Sequence, residues 1–274
     1  MKNQIPIVVI NLAKDKDRRK RISEELTDKN LEFTFFDAVY GAAIPEGEIQ
    51  KYYNKENSII NSVKPLSKGE LGATLSHLKI YQEMLDNKIE RMIIFEDDAV
   101  LTDDFLEALE LIDELPSNWE VFLLGYSSNR KYPCMFKVKE KNNFKIGISP
   151  NVRGGAFCYA INTRGAKRML KHKENLYKVI DMYTGDTRLM NVYVLAPRVA
   201  FLDDFFISSV TDRDEETLKD WKKKKIIRIF RNWNNSRRKQ LIESQSISFS
   251  CLIRKLKYKI KSAMRKYEDN SSLR

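Results

Sequence analysis

The sequence predicts an α/β fold of the Rossmann type, with strands and helices alternating along the chain. Residues 5–12 are apolar and are followed by a charged segment, residues 13–27, whose apolar positions have helical spacing. A strand, a short turn and a helix in this order open many nucleotide-binding α/β domains. A second apolar run, residues 92–95, ends abruptly in three acids at residues 96–98, which is typical of a buried strand with a polar carboxyl end.

The other elements follow from the same two signals, apolar runs and helical spacing. We predict further strands at residues 31–36, 119–124, 154–161 and 193–197, and helices at residues 67–86, at 103–115, after Thr163 and from about Val179 through Asp186. The helix at residues 67–86 is the best marked, because Ser67 and Glu70 have the spacing of a capping box. Residues 40–64 and 127–150 are predicted to be irregular loops. Neither a Gly-x-Gly-x-x-Gly motif nor a Walker A loop is present.

Composition indicates one α/β domain with an appendage. The chain has 274 residues, of which 42% are hydrophobic, so it can bury a substantial core. Residues 219–274 contain 18 basic and 4 acidic side chains, a net charge of +14, whereas residues 1–218 contain 31 basic and 34 acidic side chains, a net charge of −3. We therefore predict a globular domain at 1–218 and a basic helical tail at 219–274.

The basic tail is predicted to lie on an anionic membrane surface. Apolar residues recur every four positions from Leu252 to Met264, and lysines and arginines fill much of the remaining helix surface. The alternative is that this apolar stripe packs on the domain or on a second subunit. Aromatic residues among the basic ones also suggest nucleic-acid binding. However, the acidic domain and the lack of a recognised nucleic-acid module argue against that partner.

Cysteine content and hydropathy indicate the compartment. The three cysteines, Cys134, Cys158 and Cys251, are widely spaced and form neither a disulfide framework nor a zinc motif, so we expect a reducing environment. No segment is long and apolar enough to cross a bilayer. The expected location is the cytoplasm, with peripheral attachment to the inner face of the cytoplasmic membrane.

The acidic run at residues 96–98 predicts a divalent-cation site. Neighbouring carboxylates at the end of a buried strand repel one another and lose solvation, so a positive partner is expected. Oxygen ligands favour Mg²⁺ or Mn²⁺, and ligands of open α/β sheets bind at the carboxyl ends of strands. Strand alternation places Glu96 and Asp98 on one side and Asp97 on the other. The alternative is a strand that leads into a polar turn and caps the next helix.

The order of several short motifs resembles glycosyltransferase family 25, which includes bacterial lipooligosaccharide galactosyltransferases. The resemblance covers residues 5–212. Its motifs are Ile10-Asn11-Leu12, Arg18-Arg19, Phe35-Phe36-Asp37-Ala38, Leu66-Ser67-Lys68-Gly69-Glu70, Leu75-Ser76-His77, Phe95-Glu96-Asp97-Asp98, Gly155 with Tyr159, Val179-Ile180-Asp181 and the run from Tyr193 to Pro197. Each motif is short, and their order and spacing together carry the resemblance.

The resemblance implies a GT-A-like fold and an inverting, metal-dependent transfer of galactose from UDP-galactose to a lipooligosaccharide acceptor. A metal held by an acidic motif neutralises the nucleotide diphosphate that leaves. The resemblance implies Asp98 as a metal ligand, Glu96 as a second ligand or a contact to the ribose, and Asp97 as a supporting residue. The residues implied for donor binding are Asn11, Leu12, Arg18, Arg19, Lys68, His77, Glu96, Asp97 and Gly155.

Inversion by direct displacement needs a base for the acceptor hydroxyl, and the resemblance implies Asp181 in that role. Asp186 is the competing candidate, and helix capping is the alternative for both acids. His77 is either a contact to the donor phosphates or a buried structural residue. Arg18, Arg19 and Arg21 lie either on a solvated helix face or at the pyrophosphate, since guanidinium matches phosphate geometry.

Two features depart from the family pattern. Asp203 and Asp204 follow the last motif, where they supply a further metal ligand or form a surface turn. Residues 127–150 match nothing in the family, so the acceptor is not indicated. A metal-dependent phosphoesterase is a competing function for the acidic run, although it would need more acids or histidines at strand ends than this chain offers.

Overall fold

The structure is a computed structural model. It describes residues 5–61, 64–127, 133, 135–149, 152 and 154–203. The predicted tail at 219–274 lies outside these residues, as does the boundary at residue 218. Among the described residues, no helix combines the length and apolarity needed to cross a membrane.

Strands and helices alternate through the described part of the chain, as predicted. The strands are β1 (Ile7–Asn11), β2 (Thr34–Asp37), β3 (Arg91–Glu96), β4 (Ala99–Leu101), β5 (Val121–Leu123), β6 (Phe136–Lys141), β7 (Phe144–Ile148), β8 (Cys158–Asn162), β9 (Val192–Ala196) and β10 (Ala200–Leu202). The helices are α1 (Lys16–Asp28), α2 (Glu46–Tyr52), α3 (Lys55–Ile60), α4 (Lys68–Asp86), α5 (Phe105–Glu110), α6 (Thr163–Leu170) and α7 (Ile180–Thr184).

Eight of these strands form one sheet in the order β2-β1-β3-β8-β5-β9-β7-β6. Pairing of β1 with β2 and β3 is parallel, as is pairing of β5 with β9, whereas β8 is antiparallel to both β3 and β5. Only β7 and β8 oppose the common direction within this sheet. The predicted α/β class is confirmed, with a central sheet that is mostly parallel.

Each face of the sheet carries its own hydrophobic core. One core joins α4, α6 and α7 to the face that includes Met92 and Ile94 of β3. The other joins α1 and α5 to the face that includes Ile93 and Phe95. Because side chains alternate along a strand, the residue after Phe95 points toward α4 and the next one points toward α1.

Several predicted elements are confirmed by the structure. The capping box of α4 is complete, because the Glu70 amide donates to the Ser67 hydroxyl at 3.1 Å and the Ser67 amide donates to the Glu70 carboxylate at 2.8 Å. Helix α1 and strands β1, β3, β5 and β9 also occur where apolar periodicity placed them.

The prediction of two irregular loops was wrong in part. Both segments contain short helices or strands, and these have too few apolar residues to give a clear periodic pattern. Residues 40–64 contain α2 and α3, and α2 buries only Ile49. Within residues 127–150, β6 and β7 form an antiparallel hairpin. Strand β6 buries none of its residues fully, and a register shift between Lys137 and Lys139 leaves Val138 exposed, so it has no continuous apolar face. The predicted helix through Asp186 is α7, which ends at Thr184.

Gly72 fixes how closely α4 approaches the chain that leaves β2. A Cβ atom at this position would lie 2.6 Å from the Val39 carbonyl oxygen and 2.7 Å from the Gly41 amide nitrogen. Backbone atoms cannot move aside as a flexible side chain can, so the helix depends on the absence of a side chain here.

We predict that Gly72→Ala lowers the free energy of unfolding by about 1–3 kcal/mol, since overpacking outweighs the better helix propensity of alanine. Gly47→Ala in α2 is the matched control, because nothing lies within 4 Å of its added Cβ atom. That control should raise the free energy of unfolding by about 0.5 kcal/mol. Denaturant unfolding of both variants measures the difference, and equal effects would contradict the packing argument.

Candidate active site

Four neighbouring strands bring the predicted site residues to one edge of the sheet. Strands β1 and β3 end there, at Asn11 and Glu96, and β5 ends beside them. Strand β8 runs in the opposite direction, so its entry, with Gly154 and Gly155, lies at the same edge. Residues separated by more than a hundred positions therefore meet in one place.

The first two acids of the run point to opposite faces of the sheet, as alternation predicts. Glu96 turns toward α4, where its Oε1 atom lies 3.2 Å from Nε2 of His77. Asp97 turns toward α1, and its carboxylate accepts from Nδ2 of Asn11 and Nη1 of Arg18, both at 2.7 Å. Through these hydrogen bonds, Asn11 and Arg18 hold the Asp97 carboxylate on the α1 side of the sheet.

Asp98 lies two residues beyond the end of strand β3, and the charges of Arg18 on α1 and of Glu96 both act on its carboxylate. Its Oδ2 atom lies 3.5 Å from Nη2 of Arg18. Its Oδ1 atom is buried and has no hydrogen-bond partner among the described residues. An unpartnered buried carboxylate oxygen is unfavourable, so this atom is the best-placed ligand for a cation.

Two of these carboxyl groups resist ionisation. Packing covers all but 30% of the Glu96 side chain and, together with the charges of Asp181 and Asp97, raises its pKa to about 8. Burial and the charge of Glu96 raise the pKa of Asp98 to about 7, against the opposing effect of Arg18. A cation would favour the ionised form of both.

The carboxylate oxygens at this edge suit a metal ion that would also be bound by a substrate. In the part of the chain that the structure describes, no three His, Cys, Asp or Glu side chains are grouped so that they could hold a metal ion. Asp98 and Glu96 are two carboxylates close enough to influence each other's ionisation, and they could contribute to a site with fewer protein ligands. Mg²⁺ is often bound by one or two carboxylates together with water and substrate phosphates, and this donor set fits that chemistry.

Arg21 fixes the backbone of the acidic turn, a role that the sequence did not predict. Its Nη2 atom donates to the carbonyl oxygens of Asp97 at 2.9 Å and Ala99 at 2.7 Å. Glu25, one helical turn on, accepts from Nη1 of Arg21 at 3.0 Å and from the Leu101 amide at 2.7 Å. Helix α1 thus holds the turn through charge-assisted hydrogen bonds on both sides of Asp98.

The chain after β10 returns to the same turn. The amide of Asp203 donates to the carbonyl oxygen of Asp98 at 2.8 Å, and its carboxylate lies 3.7 Å from Nε of Arg21. Asp203 is therefore beside the acidic run, as one of its two predicted roles requires. Asp204 lies outside the described residues.

Asp181 binds the glycine turn before β8 instead of capping its own helix. Its Oδ1 atom accepts from the amides of Gly155 at 3.0 Å and Ala156 at 2.8 Å. Gly154 and Gly155 have φ angles of +75° and +138°, which favour glycine. The charge of Asp181 acts on both Glu96 and His77, so the structure places it close to the acidic run.

Asp186 is held in a buried ion cluster. Its carboxylate accepts from Nζ of Lys178 at 2.9 Å and from Nε of Arg188 at 2.7 Å. Burial alone would raise the pKa of Asp186, but the two cations lower it well below the usual value. Lys178 is only 1% exposed, so the pair is structural in character.

The other residues predicted to bind the sugar donor are distributed over several elements of the fold. Arg19 stacks on the ring of Phe35 at 3.9 Å and lies 3.5 Å from the carboxylate of Asp37. Lys68, at the start of α4, is exposed and pairs with Glu46 at 3.3 Å. Leu12 directly follows β1 and is half-buried.

His77 is completely buried on α4 and belongs to a polar chain within the core. Its Nδ1 atom lies 2.8 Å from the hydroxyl of Tyr159, which in turn hydrogen-bonds the hydroxyl of Tyr81. Burial lowers the pKa of His77 to about 3 despite the charge of Asp181, so the imidazole is neutral. Tyr81 lies four residues after His77 on the helix, a spacing that the sequence analysis did not use.

Sequence comparison relates the chain to a known family and to named proteins. A family profile described as glycosyltransferase family 25 (LPS biosynthesis protein) matches residues 4–184. The chain is 32% identical over 172 residues to procollagen galactosyltransferase 2 of Mus musculus, which covers 60% of this chain but 27% of the relative. It is 26% identical over 200 residues to lipooligosaccharide biosynthesis protein lic2B of Haemophilus influenzae, covering 70% of this chain and 73% of the relative.

Proposed function

The chain belongs to glycosyltransferase family 25, and we propose that it transfers galactose from UDP-galactose to a sugar of a lipooligosaccharide, with inversion. The names of the two relatives support a galactosyl donor and a lipooligosaccharide acceptor. The observation that carries the proposal is that the three acids of residues 96–98 and the distant Asp181 lie close together at one edge of the sheet.

The acidic run would hold a metal ion that stabilises the leaving group, the nucleotide diphosphate. Asp98, through its unpartnered Oδ1 atom, and Glu96 would hold Mn²⁺ or Mg²⁺ together with the donor phosphates. The metal, when bound, would neutralise the charge that builds up on the departing diphosphate. Arg18 and Arg21 on α1, together with Asn11, hold the acidic run in place. The remaining contacts proposed for the donor are Leu12, Arg19, Lys68 and Gly155.

Asp181 would act as the general base for the acceptor hydroxyl, which is the nucleophile. The acceptor hydroxyl oxygen forms a bond to the anomeric carbon while the bond from that carbon to the diphosphate oxygen breaks, and its electron pair leaves with UDP. The hydroxyl proton passes to the Asp181 carboxylate. One oxygen of Asp181 is occupied by two backbone amides, which fixes the carboxylate and leaves the other oxygen for the proton. A single displacement of this kind inverts the anomeric configuration.

The metal role of Asp98 is tested by Asp98→Asn, which is nearly isosteric. In the wild type, UDP-galactose with Mn²⁺ should raise the melting temperature more than either alone, because ligands that bind the native state stabilise it. We expect Asp98→Asn to fold normally, to lose this joint stabilisation and to lose at least 100-fold in kcat, a loss of the order of one transition-state interaction. Near-normal turnover at limiting metal would contradict the assignment.

The base role of Asp181 is tested by Asp181→Asn, with Asp186→Asn as the contrasting variant. Asparagine can still accept the two backbone amides but cannot take a proton, so kcat should fall by about 10²–10⁴-fold while donor binding and stability persist. Asp186→Asn leaves the buried Lys178 without its anionic partner and should lower the free energy of unfolding by about 3 kcal/mol. If Asp186→Asn were the stable but inactive variant, the two roles would be exchanged.

We also propose that residues 219–274 attach the enzyme to an anionic membrane surface, where a lipid-linked acceptor lies. The support is the charge of this segment, 18 basic against 4 acidic residues, and its apolar spacing. Each basic residue near such a surface adds about 1 kcal/mol of attraction, so a cluster suffices for salt-sensitive attachment.

Vesicle co-sedimentation tests the attachment. The full chain should bind anionic vesicles, fail to bind neutral ones and be released by salt. A chain ending at residue 220 should remain in solution while still using a soluble acceptor sugar. Equal vesicle binding by both proteins, or loss of folding on truncation, would favour packing of the tail against the domain.

A further inference from the structure

The hydrogen-bonded chain of Tyr81, Tyr159 and His77 ends at Glu96, inside the proposed site. We propose that these hydrogen bonds fix His77 in the tautomer protonated on Nε2, so that Glu96 presents oxygen lone pairs that accept from hydroxyl groups of the donor or coordinate a cation. The proposal rests on the proposed function for the identity of the ligand. It assigns positioning roles to Tyr81 and Tyr159, and it removes His77 from direct contact with the donor.

The geometry of the chain is continuous. Glu96 Oε1 lies 3.2 Å from His77 Nε2, and His77 Nδ1 lies 2.8 Å from the Tyr159 hydroxyl. The Tyr159 hydroxyl is hydrogen-bonded to the hydroxyl of Tyr81, and the rings of His77 and Tyr159 stack with centroids 5.8 Å apart. His77, Tyr81 and Tyr159 are each fully buried, so water cannot replace any of these partners.

Hydrogen-bond satisfaction gives the chain a direction. Among the described residues, the Tyr81 hydroxyl has Tyr159 as its hydrogen-bond partner and no other. If Tyr81 donates to Tyr159, then Tyr159 donates to Nδ1 of His77, and the imidazole proton lies on Nε2. The opposite direction would leave the Tyr81 hydroxyl proton without an acceptor in a dry environment, which is unfavourable.

This direction determines what Glu96 can bind. When Glu96 is ionised, which a bound cation or hydroxyl donors would favour despite its raised pKa, Oε1 accepts from His77 and Oε2 has only acceptor sites left. With 30% of the Glu96 side chain exposed and His77 only 1% exposed, the carboxylate is the part of the chain that a ligand can touch. The ligand class is therefore one that presents hydroxyl donors or a cation, such as the ribose or the sugar of the donor.

The tautomer of His77 can be observed directly, because the protein has only two histidines. In the full-length protein labelled with ¹⁵N-histidine, the Nδ1 and Nε2 resonances identify which nitrogen carries the proton. His172→Gln assigns the remaining signals to His77, and His77→Gln assigns them independently by their loss. We expect a neutral ring protonated on Nε2, and protonation on Nδ1 would overturn the proposal. This spectrum does not depend on turnover, so it can fail while the proposed function stands.

Tyr159→Phe tests whether the chain fixes the tautomer. It removes the donor to Nδ1, so the His77 signals should move toward a mixture of tautomers, and kcat should fall by about fivefold, the effect of one net hydrogen bond. Tyr193→Phe is the control, because its hydroxyl bonds Asn118 at 2.9 Å on the other face of the sheet. An unchanged tautomer in Tyr159→Phe would overturn the proposal, as would an equal fall in kcat in the control.

Discussion

The concentration of negative charge at one edge of a buried sheet is the constraint on which the arrangement of this domain depends. Glu96, Asp97, Asp98 and Asp181 act on one another electrostatically, and burial removes much of the water that would screen them. Only Asp97 is fully satisfied by side chains, through Asn11 and Arg18. The carboxylates that lack such partners are the physical reason that we propose a cation and a hydroxyl-bearing ligand at this edge.

The surrounding elements keep this charged edge from rearranging. Helix α1 supplies Arg18, Arg21 and Glu25, which hold the carboxylate of Asp97 and the backbone around Asp98. Helix α4 supplies His77 on the opposite face of the sheet, and the glycine turn before β8 receives Asp181. Three elements thus orient the four acids, so the carboxylates can differ in role although they lie close together.

Local sequence patterns predicted the elements that carry the site but not the partners of its side chains. The apolar run before Glu96 and the capping box at Ser67 are local signals, and both corresponding elements form as predicted. The antiparallel direction of β8 was not evident, because a run buried on both faces looks the same in either direction. The contacts of Arg21 and Tyr159 depend on which helix packs on which face, and this is decided by the whole core rather than by neighbours in the sequence.

The reversed strand β8 also has a consequence for how the protein acquires activity as it folds. The hydrogen bonds of the site join residues far apart in sequence: Asn11 and Asp97 are separated by 86 positions, and His77 and Tyr159 by 82. Contacts of such high sequence separation form slowly, because closing a long loop costs chain entropy before the contact can stabilise the structure. In a partly folded or nascent chain, the acidic run at residues 96–98 is therefore still separated from Asp181, and we expect competence to bind a ligand only when β8 has been inserted between β3 and β5.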